Sequence, residues 1–144
     1  MHRFLTIYLF VASFAIVPGA LAAEVLRILA WPGYAEPDIV AEFSRRHGVR
    51  VELNYVAFDD DLWARMSHDN GANFDVFAVN TAELQRYIDH NLVAPINLAH
   101  IRNHLNQSAR FQNLAAIPAL SRNGNIYAIP YTFSEMGLIY NQKI

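Results

Sequence analysis

The stretch VLRILAWPGYAEPDIVAEFSRRHGVRVELNY, residues 25–55, decides the fold class of this chain. Residues 25–31 are a short apolar run that ends at Pro32-Gly33, which is typical of a buried strand followed by a tight turn. Residues 37–47 carry apolar side chains at helical spacing behind a first-turn proline, and residues 49–55 alternate apolar with polar side chains. A strand, a helix and a half-exposed strand in this order predict a parallel β-α-β unit, and therefore an α/β fold.

The alternation of helix and strand patterns continues in the next part of the chain. Residues 59–68 predict a helix that begins with three acids, which suit the positive end of a helix dipole. Residues 74–79 are apolar nearly throughout and predict a third strand, in a central position of the sheet. Asn80, with Glu83 three residues later, has the spacing of a capping box in front of a helix over residues 81–90. The side chains predicted to face the core are Leu62, Met66, Leu84, Tyr87 and Ile88.

The remaining third of the chain has weaker patterns. Residues 92–112 predict a loop region with one or two short helical turns. Asn123-Gly124 lies between apolar flanks and predicts a hairpin, and residues 130–140 read as extended and aromatic-rich. Three parallel strands leave an edge of the sheet open, and the chain stops at Ile144 on an apolar segment. We therefore expect it to be a fragment of a longer protein.

The amino terminus has the three parts of a secretory signal peptide. Arg3 supplies positive charge, residues 4–17 are an uncharged apolar run, and Pro18-Gly19 ends any helix before the small residues of a cleavage site at 20–22. The alternative, a transmembrane helix, needs about 20 apolar residues, and this run has 14. Cleavage before Ala23 would leave a mature chain of 144 − 22 = 122 residues.

Composition excludes several classes of protein. Lys and Arg total 11 and Asp and Glu total 13, and the chain has no basic run, so nucleic acid is not an expected partner. The absence of cysteine excludes disulfides, a thiolate nucleophile, Cys-ligated zinc and a lipid-bearing cysteine. An exported, cysteine-free protein of this size is typical of the bacterial periplasm.

Motifs for metal, cofactor or catalytic chemistry are weak. His100 and His104 have helical metal-ligand spacing, but no third ligand supports a zinc site. The acids at 59–61 suit calcium, yet the helix dipole explains them more simply. The chain has no nucleophile elbow, dinucleotide fingerprint or phosphate-binding P-loop. We therefore expect no metal, no cofactor and no enzymatic activity.

Three segments together resemble a known family. They are W-P-G-Y-A-E-P at 31–37, F-D-V-F-A-V-N-T at 74–81 and N-G-N-I-Y-A-I-P-Y-T-F-S-E-M-G-L-I-Y-N at 123–141. Their order is similar to that of the first lobe of the periplasmic solute-binding proteins of ABC importers, in the spermidine/putrescine-binding branch. The resemblance covers residues 25–144, and the third segment is its most specific part.

The resemblance implies a type II periplasmic-binding-protein-like lobe, which has an open, mostly parallel sheet with flanking helices and is incomplete here. Residues 23–144 would be the N-terminal lobe and would end near the first hinge crossing. The implied function is capture of a polyamine, putrescine or spermidine, and its delivery to a permease in the inner membrane, by a protein that does not itself span the membrane after signal cleavage. The alternatives are another small solute such as an amino-acid derivative or a sugar, an exported enzyme on a related lobe, or a module that docks a protein.

Four residues are candidates for ligand contact. In this family, aromatic side chains of a W-x-x-Y motif flank the methylene chain of the ligand, and Trp31 and Tyr34 match that motif. Asn80 stands where a serine is usual, and Glu135, the single acid after Ala99, lies beside the implied hinge. Ammonium groups pair well with carboxylates and with aromatic faces, which agrees with these residue types. From the residues alone, Trp31 fits a core tryptophan better than a ligand contact, Asn80 fits a helix cap, and Glu135 fits a surface acid at least as well as a ligand contact.

Overall fold

The structure is a computed structural model and describes residues 24–133. The predicted signal peptide, the segment that follows Phe133 and the candidate residue Glu135 lie outside the described residues. The first part of the described chain alternates strands with helices. These elements are β1 (Val25–Ala30), α1 (Pro37–His47), β2 (Arg50–Tyr55), α2 (Asp59–Ser67), β3 (Val76–Phe77) and α3 (Thr81–Asp89).

The three strands form one parallel sheet in the order β2-β1-β3, which confirms the predicted β-α-β unit. The predicted central position of the third strand is wrong for the described sheet, because β1 pairs with both neighbours. β3 is only two residues long, and Val76 is 50% exposed. An apolar run indicates that both faces of a strand are covered by other elements. It does not determine the position of the strand in the sheet, which depends on how the crossover helices pack.

Helix α1 begins and ends where its local signals predict. Pro37 occupies the first turn, and Gly48 adopts φ 68° while its N–H bonds to the Ser44 carbonyl at 2.9 Å. Although its apolar side chains have helical spacing, none of its residues is buried, and Ile39 is 65% exposed. The apolar face of this helix is therefore not covered by residues 24–133.

The core consists of two adjoining clusters that share α3. One comprises Leu29, Val56, Leu62, Met66 and Tyr87, and the other Leu84, Ile88, Leu114 and Leu120. All five side chains predicted to face inward from α2 and α3 are buried. Burial raises the pKa of Tyr87 to about 12, because its ionised form would have to be desolvated.

Residues 98–116 fold as short helical turns, at Leu98–His100, Arg102–Asn106, α4 (Ala109–Gln112) and Leu114–Ala116. The predicted hairpin is confirmed by the antiparallel pair β4 (Ser121–Arg122) and β5 (Asn125–Ile126). Asn123 and Gly124 have φ 52° and 80°, as a two-residue hairpin turn requires. Gln85 Nε2 donates to the Ala119 carbonyl at 2.7 Å and thereby ties this region to α3.

Candidate functional site

The turns that follow β1, β2 and β3 meet at one edge of the sheet. Two backbone bonds extend the strand pairing to this edge: Val56 N–H to the Ala30 carbonyl and Ala78 N–H to the Leu29 carbonyl, both at 3.0 Å. Carboxyl ends of parallel strands are where open α/β sheets bind ligands. The candidate residues Trp31, Tyr34 and Asn80 all lie in these turns. We call residues 31–40, 56–64 and 78–85, which follow the three strands, the ligand edge.

The W-x-x-Y spacing is a β-turn. The Tyr34 N–H donates to the Trp31 carbonyl at 3.1 Å, and Gly33 has φ 82°. Proline at the second position and a glycine with positive φ at the third are the requirements of a type II turn, which Pro32-Gly33 satisfies. The turn brings the two aromatic residues close together at the end of β1.

Trp31 has two environments. One part packs against the core cluster that contains Leu29 and Val56, and the side chain as a whole is half-buried. This packing agrees with the core interpretation, and the intermediate burial leaves part of the residue accessible.

A third aromatic residue, Tyr131, joins this site from the far end of the described chain. Its ring centroid lies 4.9 Å from that of Tyr34, and its hydroxyl donates to the Tyr34 carbonyl at 2.7 Å. Its side chain is 68% exposed. Sequence reasoning missed Tyr131, since the only signal was its place within the 123–141 segment. We call Trp31, Tyr34 and Tyr131 the aromatic rim.

Asn80 occupies the N-cap position of α3 but does not cap it with its side chain. Its Nδ2 instead donates to the carboxylate of Asp59, at 2.9 Å and 3.2 Å to the two oxygens. Glu83, the other half of the predicted capping box, lies 3.7 Å from Arg86. The predicted capping box is therefore wrong, because each side chain finds a charged partner that local spacing does not reveal.

The ligand edge carries acids and no bases. Residues 31–40, 56–64 and 78–85, which follow the three strands and begin the three helices, contain no Lys, Arg or His. Their acids are Glu36, Asp38, Asp59, Asp60, Asp61 and Glu83. Helix N-termini carry partial positive charge, and these acids outweigh it, so the edge favours cations over anions.

The first basic residue after the ligand edge on α3 is Arg86, and its guanidinium packs on Trp63. The Arg86 guanidinium lies 3.5 Å from the Trp63 ring centroid, between α2 and α3. It also approaches the Glu83 carboxylate. Within residues 24–133, the acids of the ligand edge that form ion pairs are Glu83, with Arg86, and Asp61, with Arg65.

The two histidines with metal-ligand spacing lie in separate helical turns. His100 closes one helical turn and His104 lies in the next, where its Nδ1 contacts the Ile101 carbonyl at 2.5 Å. No group of three or more potential metal ligands occurs within residues 24–133. In the same range, no helix is both long and apolar enough to cross a membrane.

Within residues 24–133, the rim residue Tyr131 is largely exposed, and Trp31 and Tyr34 are half-buried. Two shallow hollows are found elsewhere, one lined by Ala64 and Phe74 and the other by Leu26, Phe43 and Val49. Neither hollow includes a residue of the aromatic rim.

Sequence comparison defines the class of protein. Residues 38–144 match the family described as bacterial extracellular solute-binding protein. The match covers well over half of the chain, and the chain belongs to this family.

The chain is similar in sequence and in fold to particular polyamine-binding proteins. The chain is 26% identical to the putrescine-binding periplasmic protein PotF of Escherichia coli over 132 residues, which are 90% of this chain and 35% of PotF. Its fold is similar to that of the spermidine/putrescine ABC transporter substrate-binding protein PotD of Streptococcus pneumoniae, with a TM-score of 0.57 and 19% identity over 63% of this chain and 28% of that one. The predicted type II lobe, with a parallel sheet and flanking helices, is confirmed. The chain spans about a third of the length of the curated relative it matches.

The same fold also occurs in a protein with a different ligand. The substrate-binding protein Lmo0181 of Listeria monocytogenes, solved with cycloalternan, aligns with a TM-score of 0.55 and 20% identity over 74% of this chain and 28% of its own. The fold alone therefore does not select the ligand, and the side chains of the ligand edge must do so.

Proposed function

We propose that this chain forms one lobe of a polyamine-binding protein of an ABC importer, which captures putrescine or spermidine outside the inner membrane. The observation that carries the proposal is the pairing of an aromatic rim with six acids and no base at the ligand edge. The similarity to PotF supports the same ligand class. The partners would be the polyamine and a permease in the inner membrane.

The ligand chemistry matches this edge of the sheet. A polyamine has cationic ends and a methylene chain between them, so it needs carboxylates or amide oxygens at its ends and apolar faces along its length. Ammonium–carboxylate hydrogen bonds are charge-assisted, and each cation–π contact contributes about 0.5 to 2 kcal/mol. The rim offers aromatic faces, and Asn80 offers a carbonyl oxygen; neither is a nucleophile with a base beside it, so the proposal includes no chemical step.

A sugar is the second candidate, because aromatic faces also stack on sugar rings and Lmo0181 shares the fold. The two candidates differ in charge. A neutral sugar gains nothing from the acids of the ligand edge, whereas binding of a polyamine should weaken as salt is added.

Replacing Trp31 tests the proposal. In the full-length product of the gene, Trp31→Ala should weaken putrescine binding by about 1 to 3 kcal/mol, because stacking area and cation–π attraction are lost together. Isothermal titration calorimetry with putrescine, spermidine and an uncharged sugar measures the affinity. Trp31→Phe is the matched control, since it keeps an aromatic face on the core and should lose less. An unchanged polyamine affinity in a folded Trp31→Ala protein would assign Trp31 to the core alone.

Export is a separate expectation of the proposal. Residues 1–22 are proposed to be removed as a signal peptide, which leaves residues 23–144 as the lobe. The protein isolated from the producing cell should then begin at or near Ala23, as N-terminal sequencing can establish. Recovery of a soluble cytoplasmic form that begins at Met1 would contradict export.

A further inference from the structure

The bond between Asp59 and Asn80 joins two turns of the ligand edge. Asp59 is the first residue of α2, Asn80 precedes α3, and 21 positions separate them in the sequence. Asp59 is half-buried, and both of its carboxylate oxygens lie within hydrogen-bonding distance of Asn80 Nδ2. This is a tertiary contact that neither helix requires for its own capping, since neither N-cap side chain makes a capping bond.

A carboxylate allows only one orientation of the Asn80 amide. An ionised aspartate accepts hydrogen bonds and cannot donate one, so it must face the NH₂ group and not the carbonyl oxygen. Without such a partner, hydrogen bonding does not decide which end of an asparagine amide faces a given neighbour. Asp59 therefore turns Asn80 Oδ1 away from itself. Within residues 24–133 no donor reaches this oxygen, and Asn80 is exposed.

We propose that Asp59 is a positioning residue, which holds the Asn80 amide so that Oδ1 accepts a hydrogen bond from a ligand ammonium group. This inference rests on the proposed function. It specifies that Asn80 Oδ1 prefers a ligand group that donates a hydrogen bond, and a cationic donor in particular. Rotation of the amide would present NH₂ instead, and NH₂ repels an ammonium group.

Asp59→Asn is the decisive variant, because it keeps the size of the side chain and removes the constraint on the Asn80 amide. In the full-length product of the gene it should weaken putrescine binding about tenfold or more, the range expected for a hydrogen bond to a charged group. Asp60→Asn is the matched control. Asp60→Asn removes the same charge from the same helical turn, so it measures the general electrostatic contribution to binding. We expect it to change the affinity by less than about threefold.

A double-mutant cycle shows whether Asp59 acts through Asn80. In an Asn80→Ala background, Asp59→Asn should reduce affinity no more than Asp60→Asn does, since no amide remains to be oriented. The exchange Asp59→Asn with Asn80→Asp should restore affinity, because an amide at 59 can donate to one oxygen of the new carboxylate and leave the other for the ligand. Circular dichroism confirms that each variant folds.

Each result supports or overturns the proposal. It is overturned if Asp59→Asn and Asp60→Asn weaken binding equally, or if Asp59→Asn has its full effect without the Asn80 amide. If the unsubstituted protein binds neither putrescine nor spermidine, the proposed function fails, and the amide is tested by NMR instead. Its side-chain NH₂ signals should then shift in Asp59→Asn and not in Asp60→Asn; unshifted signals would overturn the positioning role as well.

Discussion

Residues 23–144 produced alone should bind putrescine and spermidine with millimolar or weaker affinity. A complete two-lobed protein, which closes over the ligand from both sides, should reach micromolar affinity or better, a difference of at least about 4 kcal/mol. Good small-molecule sites bury about 70 to 90% of the ligand surface. Trp31, Tyr34 and Asn80 follow strand ends, and Tyr131 packs against Tyr34, so we expect these residues to cover only one side of the ligand. Its ammonium groups would keep much of their water, and exposed charge pairs contribute little.

The measurement is a calorimetric or NMR titration of this polypeptide with both polyamines. Exposed apolar side chains such as Ile39, Phe43 and Phe133 favour self-association, so analytical ultracentrifugation must first show a monodisperse monomer. The full-length product of the gene, titrated under the same conditions, is the reference. Micromolar binding to a monomer of residues 23–144 would mean that the described edge is already a complete site, and the proposed two-lobe arrangement would be wrong.

Leu29→Ala should be among the most destabilising substitutions in the described chain, at about 2 to 5 kcal/mol of unfolding free energy. Leu29 has no exposed surface and lies on β1, which is paired on both sides, with Asn54 opposite on β2 and Phe77 on β3. The truncation leaves a cavity beneath Val56 and Leu62 that a strand held on both edges cannot close.

Urea denaturation followed by circular dichroism measures this loss. Ile39→Ala is the control of the same chemistry, because Ile39 is 65% exposed on α1 and its truncation should change stability by less than about 0.5 kcal/mol. Since whole domains are stable by only about 5 to 15 kcal/mol, Leu29→Ala could abolish the cooperative transition altogether. Equal midpoints for the two variants would show that β1 is not the centre of the core.

Sequence patterns were reliable where the determining interactions are local. Helix α1 runs from Pro37 to His47 as predicted, because a first-turn proline and a left-handed Gly48 act within one turn of the residues they affect. The Asn123-Gly124 hairpin is confirmed for the same reason. The inward faces of α2 and α3 follow from helical periodicity, which needs no knowledge of the partner surface.

The same patterns failed where a property depends on what lies opposite. The apolar run at 74–79 was assigned to a central strand, yet only Val76 and Phe77 pair, at an edge of the described sheet. The capping-box spacing of Asn80 and Glu83 was also misleading, since a carboxylate 21 residues earlier in the chain engages the Asn80 amide. Residue spacing indicates which side chains can contact each other along one helix. It does not indicate which side chains from other elements compete for the same hydrogen bonds.

The sequence by itself determined the succession of strands and helices along the chain, the type II turn that holds Trp31 near Tyr34, and the excess of acids after each strand. Each of these depends on residues a few positions apart. Only the tertiary structure decided the order of the strands within the sheet, the orientation of the Asn80 amide and the place of Tyr131 in the aromatic rim. Tyr131 contacts Tyr34 across 97 positions of the chain. Contacts of that range depend on how separate elements pack against a shared core, and no local pattern of residues encodes that packing.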